Sequence, residues 1–319
     1  MRQPDSAAQA DRHTNRARTC EDRAISTVLD VGIALLLVAA AMGVLVAFTE
    51  QTEQADHNPA DAEYTTQVIT TATIPTTYHV ETAIDEAVPN HDYAREDLRR
   101  IAHGTIAAHV SAIAVANIQF DGDRLTTAAV EYEAQVDERL QAALVESSFE
   151  TNVTAVWSPF DGAPVQGSVS VGQTPPPQVD VSATTTTVPS DIPAVDTAGE
   201  DFETVAEELA MAIVEGYLPE RASQRALERS GVERDLTVHR YRQFAEVVGV
   251  EADTHPMAAH LTPATANASG ANARLVEAFV ADDGYGLAEM LRETFSDPEA
   301  AATALSTEEV TITVRTWEQ

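Results

Sequence analysis

Histidine and acidic side chains are the residues with which this chain could hold a metal ion or move a proton. The one group of metal-ligand types is Asp253-Thr254-His255 followed by His260, and its spacing matches no common metal site. The simpler interpretation of these residues is a polar loop. His103 and His109 are six residues apart, which places them on different faces of a predicted helix and makes them poor joint ligands. The sequence therefore predicts no metal site.

Motifs of catalysis and cofactor binding are absent from the sequence. It contains no G-x-S-x-G, no H-E-x-x-H and no G-x-G-x-x-G, and a phosphate-binding loop would need a lysine, which this chain lacks. Paired acids such as Glu207-Glu208 are expected by chance among 51 acidic residues, and most are solvated. Asp282-Asp283-Gly284 stays open as a weak calcium or potassium site. We predict a protein that is not an enzyme and needs no cofactor.

Residue patterns after position 62 predict a mixed α+β fold in which an antiparallel sheet packs against helices. Strands are predicted over residues 63–80 (interrupted by Pro75), 151–157, 167–172, 178–188 and 309–317. We expect the strands 151–157 and 167–172 to form a hairpin and the C-terminal strand to join the earlier sheet. Helices are predicted over residues 92–116, 125–147, 202–217 (capped by Asp201), 220–230, 234–248, 271–281 and 287–294. Two alternatives stay open: residues 182–187 as a solvated linker, and a division into two lobes near residues 189–200.

One uncharged apolar run, residues 31–48, stands before this region and reads VGIALLLVAAAMGVLVAF. As a helix it is about 27 Å long, enough to cross the hydrocarbon core of a bilayer. A cleaved secretory signal has a shorter core with small residues at the cut, whereas Thr49-Glu50-Gln51 follows here. We predict an N-terminal transmembrane helix over residues 25–48 and a stalk over residues 49–62. The anchor contacts the lipid bilayer through Val31, Leu36, Leu45 and Phe48.

The distribution of charge predicts the orientation of this anchor. Five arginines precede the apolar run, and the next one is Arg95, so the positive-inside rule puts the N-terminus in the cytoplasm. The net charge of −32 lies entirely in the part from Glu50 onward, which holds 14 arginines against 46 acidic residues. We predict a single-pass cell-membrane protein whose body, residues 63–319, is extracellular. A body this acidic repels nucleic-acid phosphates, so no nucleic-acid partner is expected.

Arg23-Ala24-Ile25-Ser26-Thr27-Val28, directly before the apolar run, resembles the membrane entry of haloarchaeal type IV pilin-like proteins. Thr27 stands where proline is usual in that family. The resemblance implies that residues 1–24 are a leader or cytoplasmic tail, that a prepilin peptidase cuts between Ala24 and Ile25, and that the helix assembles with other subunits. Acidity without lysine also resembles haloarchaeal composition, which suits molar salt because the charges are then screened.

Two further segments, residues 157–162 and 171–177, resemble a pattern in an uncharacterised haloarchaeal family of membrane-anchored, pilin-like proteins. Asp30 lies just inside the apolar region, where an isolated carboxylate costs about 2.5–3.5 kcal/mol. It is either an assembly contact or a residue at the depth of the membrane interface. Asn152 and Asn267 begin N-x-[ST] triplets and are candidate glycosylation sites on an external body.

The expected function is a non-enzymatic, membrane-anchored, pilin-like surface protein or an accessory component of an archaeal type IV pilus-like system. Its partners would be the bilayer and other pilin-like subunits or pilus platform proteins. The alternative is a monomeric membrane-anchored domain that binds a solute or a protein outside the cell. A third hypothesis is an extracytoplasmic enzyme, but no group of residues in the sequence supports it.

Overall fold

The computed structural model describes residues 59–144, 149–197, 199–281 and 286–318. They belong to one compact unit in which antiparallel sheets pack against helices, which confirms the predicted mixed α+β class. The helices are α1 Pro59–Thr71, α2 Glu81–Ala87, α3 Ile106–Ala116, α4 Val130–Leu144, α5 Phe202–Tyr217, α6 Glu220–Leu227, α7 Val232–Val247, α8 Met257–His260, α9 Ala268–Ala281, α10 Leu287–Thr294 and α11 Pro298–Ala304. The strands are β1 Thr73–His79, β2 Arg99–Thr105, β3 Ile118–Phe120, β4 Asp123–Arg124, β5 Phe149–Trp157, β6 Gln166–Gly172, β7 Ser182–Pro189 and β8 Glu309–Glu318.

The larger sheet has six strands in the order β4-β3-β6-β5-β8-β7, and every neighbouring pair is antiparallel. β5 and β6 form the predicted hairpin, in a register that runs from Asn152↔Gly172 to Trp157↔Gly167. β8, near the end of the chain, joins the earlier strands of the sheet as predicted, and its position is between β5 and β7. Residues 182–187 are part of β7 and pair with β8, so the linker alternative is wrong.

The predicted strands over residues 63–80 are half helix in the structure. α1 ends at Thr71 and β1 begins at Thr73, so only the second half of the prediction is confirmed. Threonine hydroxyls in α1 donate back to carbonyls four residues earlier, as Thr66 does to Ala62 (2.8 Å) and Thr70 to Thr66 (2.7 Å). Burial of Ile69 on the core adds a tertiary contact that outweighs the strand preference of these residues.

The predicted helix over residues 92–116 is a strand followed by a shorter helix. β2 pairs with β1 along seven residues, from Thr73↔Thr105 to His79↔Arg99. The Thr105 hydroxyl accepts a hydrogen bond from the Ala108 amide (3.1 Å), so α3 begins only at Ile106. The apolar residues before position 105 have helical spacing, but they form a strand because β1 pairs with them. Local spacing carries no information about this pairing.

Five of the helices after residue 200 correspond to predicted helices. α5 begins after Asp201, whose carboxylate accepts from the Thr204 amide at 2.7 Å. α6 and α10 lie within their predicted segments, whereas α7 and α9 begin two and three residues earlier than predicted. α11 was not predicted, although Asp297 caps it and Pro298 opens it. The predicted loop after His255 contains the short helix α8 and a 3₁₀ turn, Pro263–Thr265.

Buried apolar side chains form two separate clusters. The main cluster joins one face of the six-stranded sheet to the helices, and it includes Trp157, whose indole nitrogen donates to the Thr307 carbonyl at 2.8 Å. The smaller cluster lies where β1, α2 and α7 meet. It consists of Val80, Ala83, Ile84, Leu98, Val232 and Leu236.

The predicted membrane anchor and leader, residues 1–48, lie outside the described residues. Among the helices of the described ranges, none has the length and apolar character needed to cross a membrane.

Candidate functional site

A cavity of about 300 Å³ lies at the seam between the two apolar clusters, and we call it the seam cavity. Its walls come from β1, α3, α4, α5, α7 and the loop after β7. Val80 and Leu236 line it from the smaller cluster, and Val115 and Tyr217 line it from the main cluster. Because side chains of two independently packed groups face each other here, the space between them stays open. Its volume is at the small end of ligand pockets.

Three tyrosines line the seam cavity. The rings of Tyr78 and Tyr132 have centroids 4.7 Å apart and are tilted by 38°. The Tyr217 hydroxyl shares its one hydrogen between the carbonyls of Val115 (2.8 Å) and Ala116 (2.6 Å) at the C-terminal end of α3. Burial raises the pKa of Tyr217 and, together with a smaller effect of Tyr78, that of Tyr132, so both phenols stay protonated and act as hydrogen-bond donors.

A buried histidine holds Tyr132 in place. His109 Nε2 lies 3.0 Å from the Ile74 carbonyl, and its Nδ1 lies 2.5 Å from the Tyr132 hydroxyl. A carbonyl oxygen only accepts, so in the neutral ring Nε2 donates to Ile74 and Nδ1 accepts from Tyr132. His109 is 2 % exposed, whereas His103 is exposed on β2. The two histidines therefore lie on different elements, and His109 supports the cavity wall.

Two opposite charges, Arg240 on α7 and Asp191 after β7, line the seam cavity. Across the described part of the chain, neither side chain has a hydrogen-bond or ion-pair partner, and the two do not pair with each other within 4.0 Å. Burial raises the pKa of Tyr78, and the positive charges of Arg240 and Arg100 oppose that rise. Arg240 and Tyr78 line the same cavity.

The hydroxyl of Tyr78 also has no hydrogen-bond partner among the described residues. Asp191 adopts a left-handed backbone conformation with φ of 62°, which only a minority of residues other than glycine do. The adjacent Ser190 hydroxyl donates to the Thr307 carbonyl (2.6 Å) and accepts from the Ile192 amide (3.0 Å), so it fixes this turn. The cavity is thus lined by a cation, an anion and a phenol that have no partner in the described part of the chain, and both charged residues, Arg240 and Asp191, are exposed to solvent.

A larger groove of about 600 Å³ lies between α5 and α9. Its floor is apolar and includes Met211, which is 40 % exposed. Acidic side chains surround it, and no cation lines it among the described residues; these acids are Glu203, Glu207, Glu215, Glu220 and Glu277. The charged side chains that line the groove are all acidic, and two of them have arginine partners, Glu203 with Arg292 and Glu277 with Arg274. The groove therefore lacks the unpaired opposite charges of the seam cavity.

The residues that the sequence singled out do not converge on a site. Asp253 pairs with Arg242 at 2.8 Å on the surface, as expected for a polar loop. No group of three or more histidine, cysteine or acidic side chains suited to a metal ion occurs within the ranges that the structure describes. Asn152 is 4 % exposed and its amide donates to the Ser170 hydroxyl at 3.0 Å, whereas Asn267 is exposed at the start of α9. Ala24, Ile25, Asp30, Val31, Leu36, Leu45, Phe48 and the Asp282-Asp283-Gly284 segment lie outside the described residues.

The residues of the seam cavity were missed by sequence reasoning. Tyr78, Tyr132, Asp191 and Arg240 come from four elements or loops that are far apart in the chain. The sequence offered one indication that tyrosines could matter: aromatic residues are scarce, at 5 % of the chain. Three of its seven tyrosines line this cavity. The packing of helices determines which tyrosines lie together, and the periodicity of a sequence carries no information about that packing.

Comparison with known protein families identifies the family to which the chain belongs. Residues 29–317 match a family of unknown function, DUF7284. The chain belongs to this family. The DUF7284 match covers the apolar run at residues 31–48 as well as nearly all of the folded body. Residues 23–28, which carry the resemblance to a pilin-like membrane entry, precede the matched range. No curated protein and no solved structure matches the chain.

Proposed function

We propose that this protein is a non-enzymatic, membrane-anchored surface protein of the pilin-like type, a subunit or accessory component of an archaeal type IV pilus-like system. The observation that carries the proposal is the uncharged apolar run at residues 31–48, directly after the pilin-like entry at residues 23–28. The DUF7284 match begins at Leu29 and includes this run together with the body. The run is therefore a part of the family unit. A helix of that length and composition suits a bilayer core or a filament core.

In this proposal the apolar run holds the protein in the membrane and supplies the assembly surface. The arginine-bearing N-terminus lies in the cytoplasm, and the acidic body faces the outside. Processing between Ala24 and Ile25 would leave a mature protein that begins with the apolar helix. Asp30 would then lie six residues into the mature chain, where a carboxylate among apolar helices needs a partner in the assembly.

The mature N-terminus tests this proposal. Mass spectrometry of the protein extracted from membranes of cells with a prepilin peptidase should find chains beginning at Ile25. Ala24→Leu should block processing because the peptidase cuts after a small residue, whereas Ala39→Leu inside the apolar run should leave processing unchanged. Full-length chains that retain residues 1–24 in the unaltered protein would contradict the proposed cleavage.

Assembly is tested separately, by exchanging the apolar run for an unrelated membrane span. The exchanged protein should stay in the membrane but no longer copurify with filaments or with pilus platform proteins. Full copurification after the exchange would instead indicate that the body alone makes the contacts.

A second candidate function, a membrane-anchored domain that binds a solute, is favoured by the seam cavity. That cavity holds polar groups that have no partner within the described protein, and it opens to solvent. A protein with this function would keep it after the span exchange.

A further inference from the structure

The seam cavity presents three polar groups that the described part of the protein leaves without partners: the Arg240 guanidinium, the Tyr78 hydroxyl and the Asp191 carboxylate. Arg240 and Tyr78 are hydrogen-bond donors that line the same cavity. Burial raises the pKa of that phenol, so it remains a donor at neutral pH. A guanidinium beside a phenol is a pair of donors suited to a carboxylate.

Asp191 supplies the opposite charge. It lines the same cavity of about 300 Å³, yet it lies more than 4.0 Å from any arginine nitrogen, because no ion pair involves it in the described chain. Two opposite charges that face one small space without meeting leave room for a molecule that carries both complementary charges. Asp191 is exposed to solvent, so a ligand that also carries an ammonium group gains attraction to the Asp191 carboxylate that a ligand with a carboxylate alone does not.

The rest of the lining is apolar or aromatic. Small residues from α3 and from the segment just before α4 line the space together with Val80 and Leu236, and the adjacent, tilted rings of Tyr78 and Tyr132 also line it. Such walls favour a compact apolar group, while the hydrogen bond from Tyr132 to His109 keeps that ring fixed.

We propose that the seam cavity binds a small zwitterion of the α-amino acid class with an apolar side chain. Its carboxylate contacts Arg240 and the Tyr78 hydroxyl, its ammonium group contacts Asp191, and its side chain lies against the tyrosine rings. This inference goes beyond the pilin-like role and deepens the solute-binding alternative, and it requires neither N-terminal processing nor assembly.

Calorimetric titration of the full chain in detergent tests the proposal with L-valine, L-leucine and L-phenylalanine as probes. For the amino acid that binds best, the matched acid without the amine and the matched amine without the carboxylate are titrated in parallel. For leucine these are 4-methylpentanoate and 3-methylbutylamine. We expect the amino acid to bind at least about tenfold more tightly than either analogue. Absence of binding by all three amino acids, or equal binding by the acid analogue, would overturn the proposal.

Variants at the two charges locate the site. Arg240→Gln should weaken amino-acid binding at least about tenfold, whereas Arg242→Gln, which changes an exposed arginine on the same helix, should leave it within about twofold. Asp191→Asn keeps a residue type that tolerates the left-handed conformation, so it tests charge without straining the turn. It should weaken binding of the amino acid and of the amine but not of the acid analogue. Binding that is unaffected by both Arg240→Gln and Asp191→Asn would place the ligand elsewhere and overturn the assignment.

Discussion

At the scale of single residues, the tyrosines of the seam cavity differ in what they do for the fold. The Tyr132 hydroxyl donates to buried His109, and the Tyr217 hydroxyl donates to the end of α3. The Tyr78 hydroxyl has no partner in the described protein, although its ring packs against that of Tyr132. Structural and recognition roles can therefore be separated by removing one oxygen atom at a time.

Tyr132→Phe should lower the free energy of unfolding by about 1–3 kcal/mol, because it leaves a buried ring nitrogen of His109 without its hydrogen bond. Tyr78→Phe is the matched control and should change stability by less than about 0.5 kcal/mol. Urea unfolding of the full chain in detergent measures both. A Tyr78→Phe variant that loses as much stability as Tyr132→Phe would show that Tyr78 has a structural partner.

His239 makes stability depend on pH. Burial lowers the pKa of His239 below its usual 6.5, with nearby Glu86 opposing that shift. A group with a lowered pKa in the folded state takes up its proton more readily when unfolded, so its contribution is intact above about pH 6.5 and is lost as the pH falls toward the folded-state value. We expect the unfolding midpoint to fall between about pH 7 and pH 5, and the fall to be smaller in His239→Gln. Equal pH profiles for the two proteins would refute this role.

At the scale of elements, close contact between α3 and β6 sets the position of the sheet against its helices. A Cβ atom on Gly167 would lie 2.0 Å from the Ala114 carbonyl oxygen, so only glycine lets the end of α3 approach the strand. The turn between β3 and β4 requires a left-handed backbone instead, since Asp121 (φ 50°) and Gly122 (φ 89°) both adopt that conformation.

Gly167→Ala should destabilise the protein by about 3 kcal/mol or more, because the new methyl group collides with backbone that cannot rotate away. Gly104→Ala in β2 is the control, since its Cβ would meet its nearest neighbour at an ordinary 3.4 Å. Thermal unfolding monitored by circular dichroism compares the two. A Gly167→Ala protein as stable as Gly104→Ala would show that α3 can move away from the sheet at little cost.

At the scale of the whole molecule, charge repulsion is the dominant unusual feature. Ion pairs such as Arg242–Asp253 are exposed, and exposed pairs contribute little. With 14 arginines against 46 acidic residues from Glu50 onward, unpaired negative charges outnumber the cations that could offset them. Compaction of the body therefore works against self-repulsion that salt screens.

We expect the urea midpoint of unfolding to rise as KCl increases from about 0.1 M to about 1 M, over which the Debye length falls from about 10 Å to about 3 Å. A parallel titration with potassium sulfate at matched ionic strength separates the screening of charge from the exclusion of sulfate from the protein surface. Screening predicts equal gains for both salts, whereas exclusion favours sulfate. A midpoint that falls with KCl would show that attractive pairs outweigh the repulsion.

The sequence alone determined the parts of this protein that depend on neighbouring residues. The mixed α+β class, five of the helices after Asp201 (α5, α6, α7, α9 and α10) and the β5–β6 hairpin followed from local periodicity and caps. The apolar run and the location of the negative charge were also visible there, since both are properties of composition. These features need no knowledge of which distant segments meet.

Only the tertiary structure decided the rest. α1 and β2 took conformations that their local patterns did not predict, because burial on the core and pairing with β1 contributed more than intrinsic preference. Tyr78, Tyr132, Asp191 and Arg240 became one site only because two apolar clusters pack side by side and leave a seam between them. Contact between residues so far apart in the chain is a consequence of packing, and no local spacing records it.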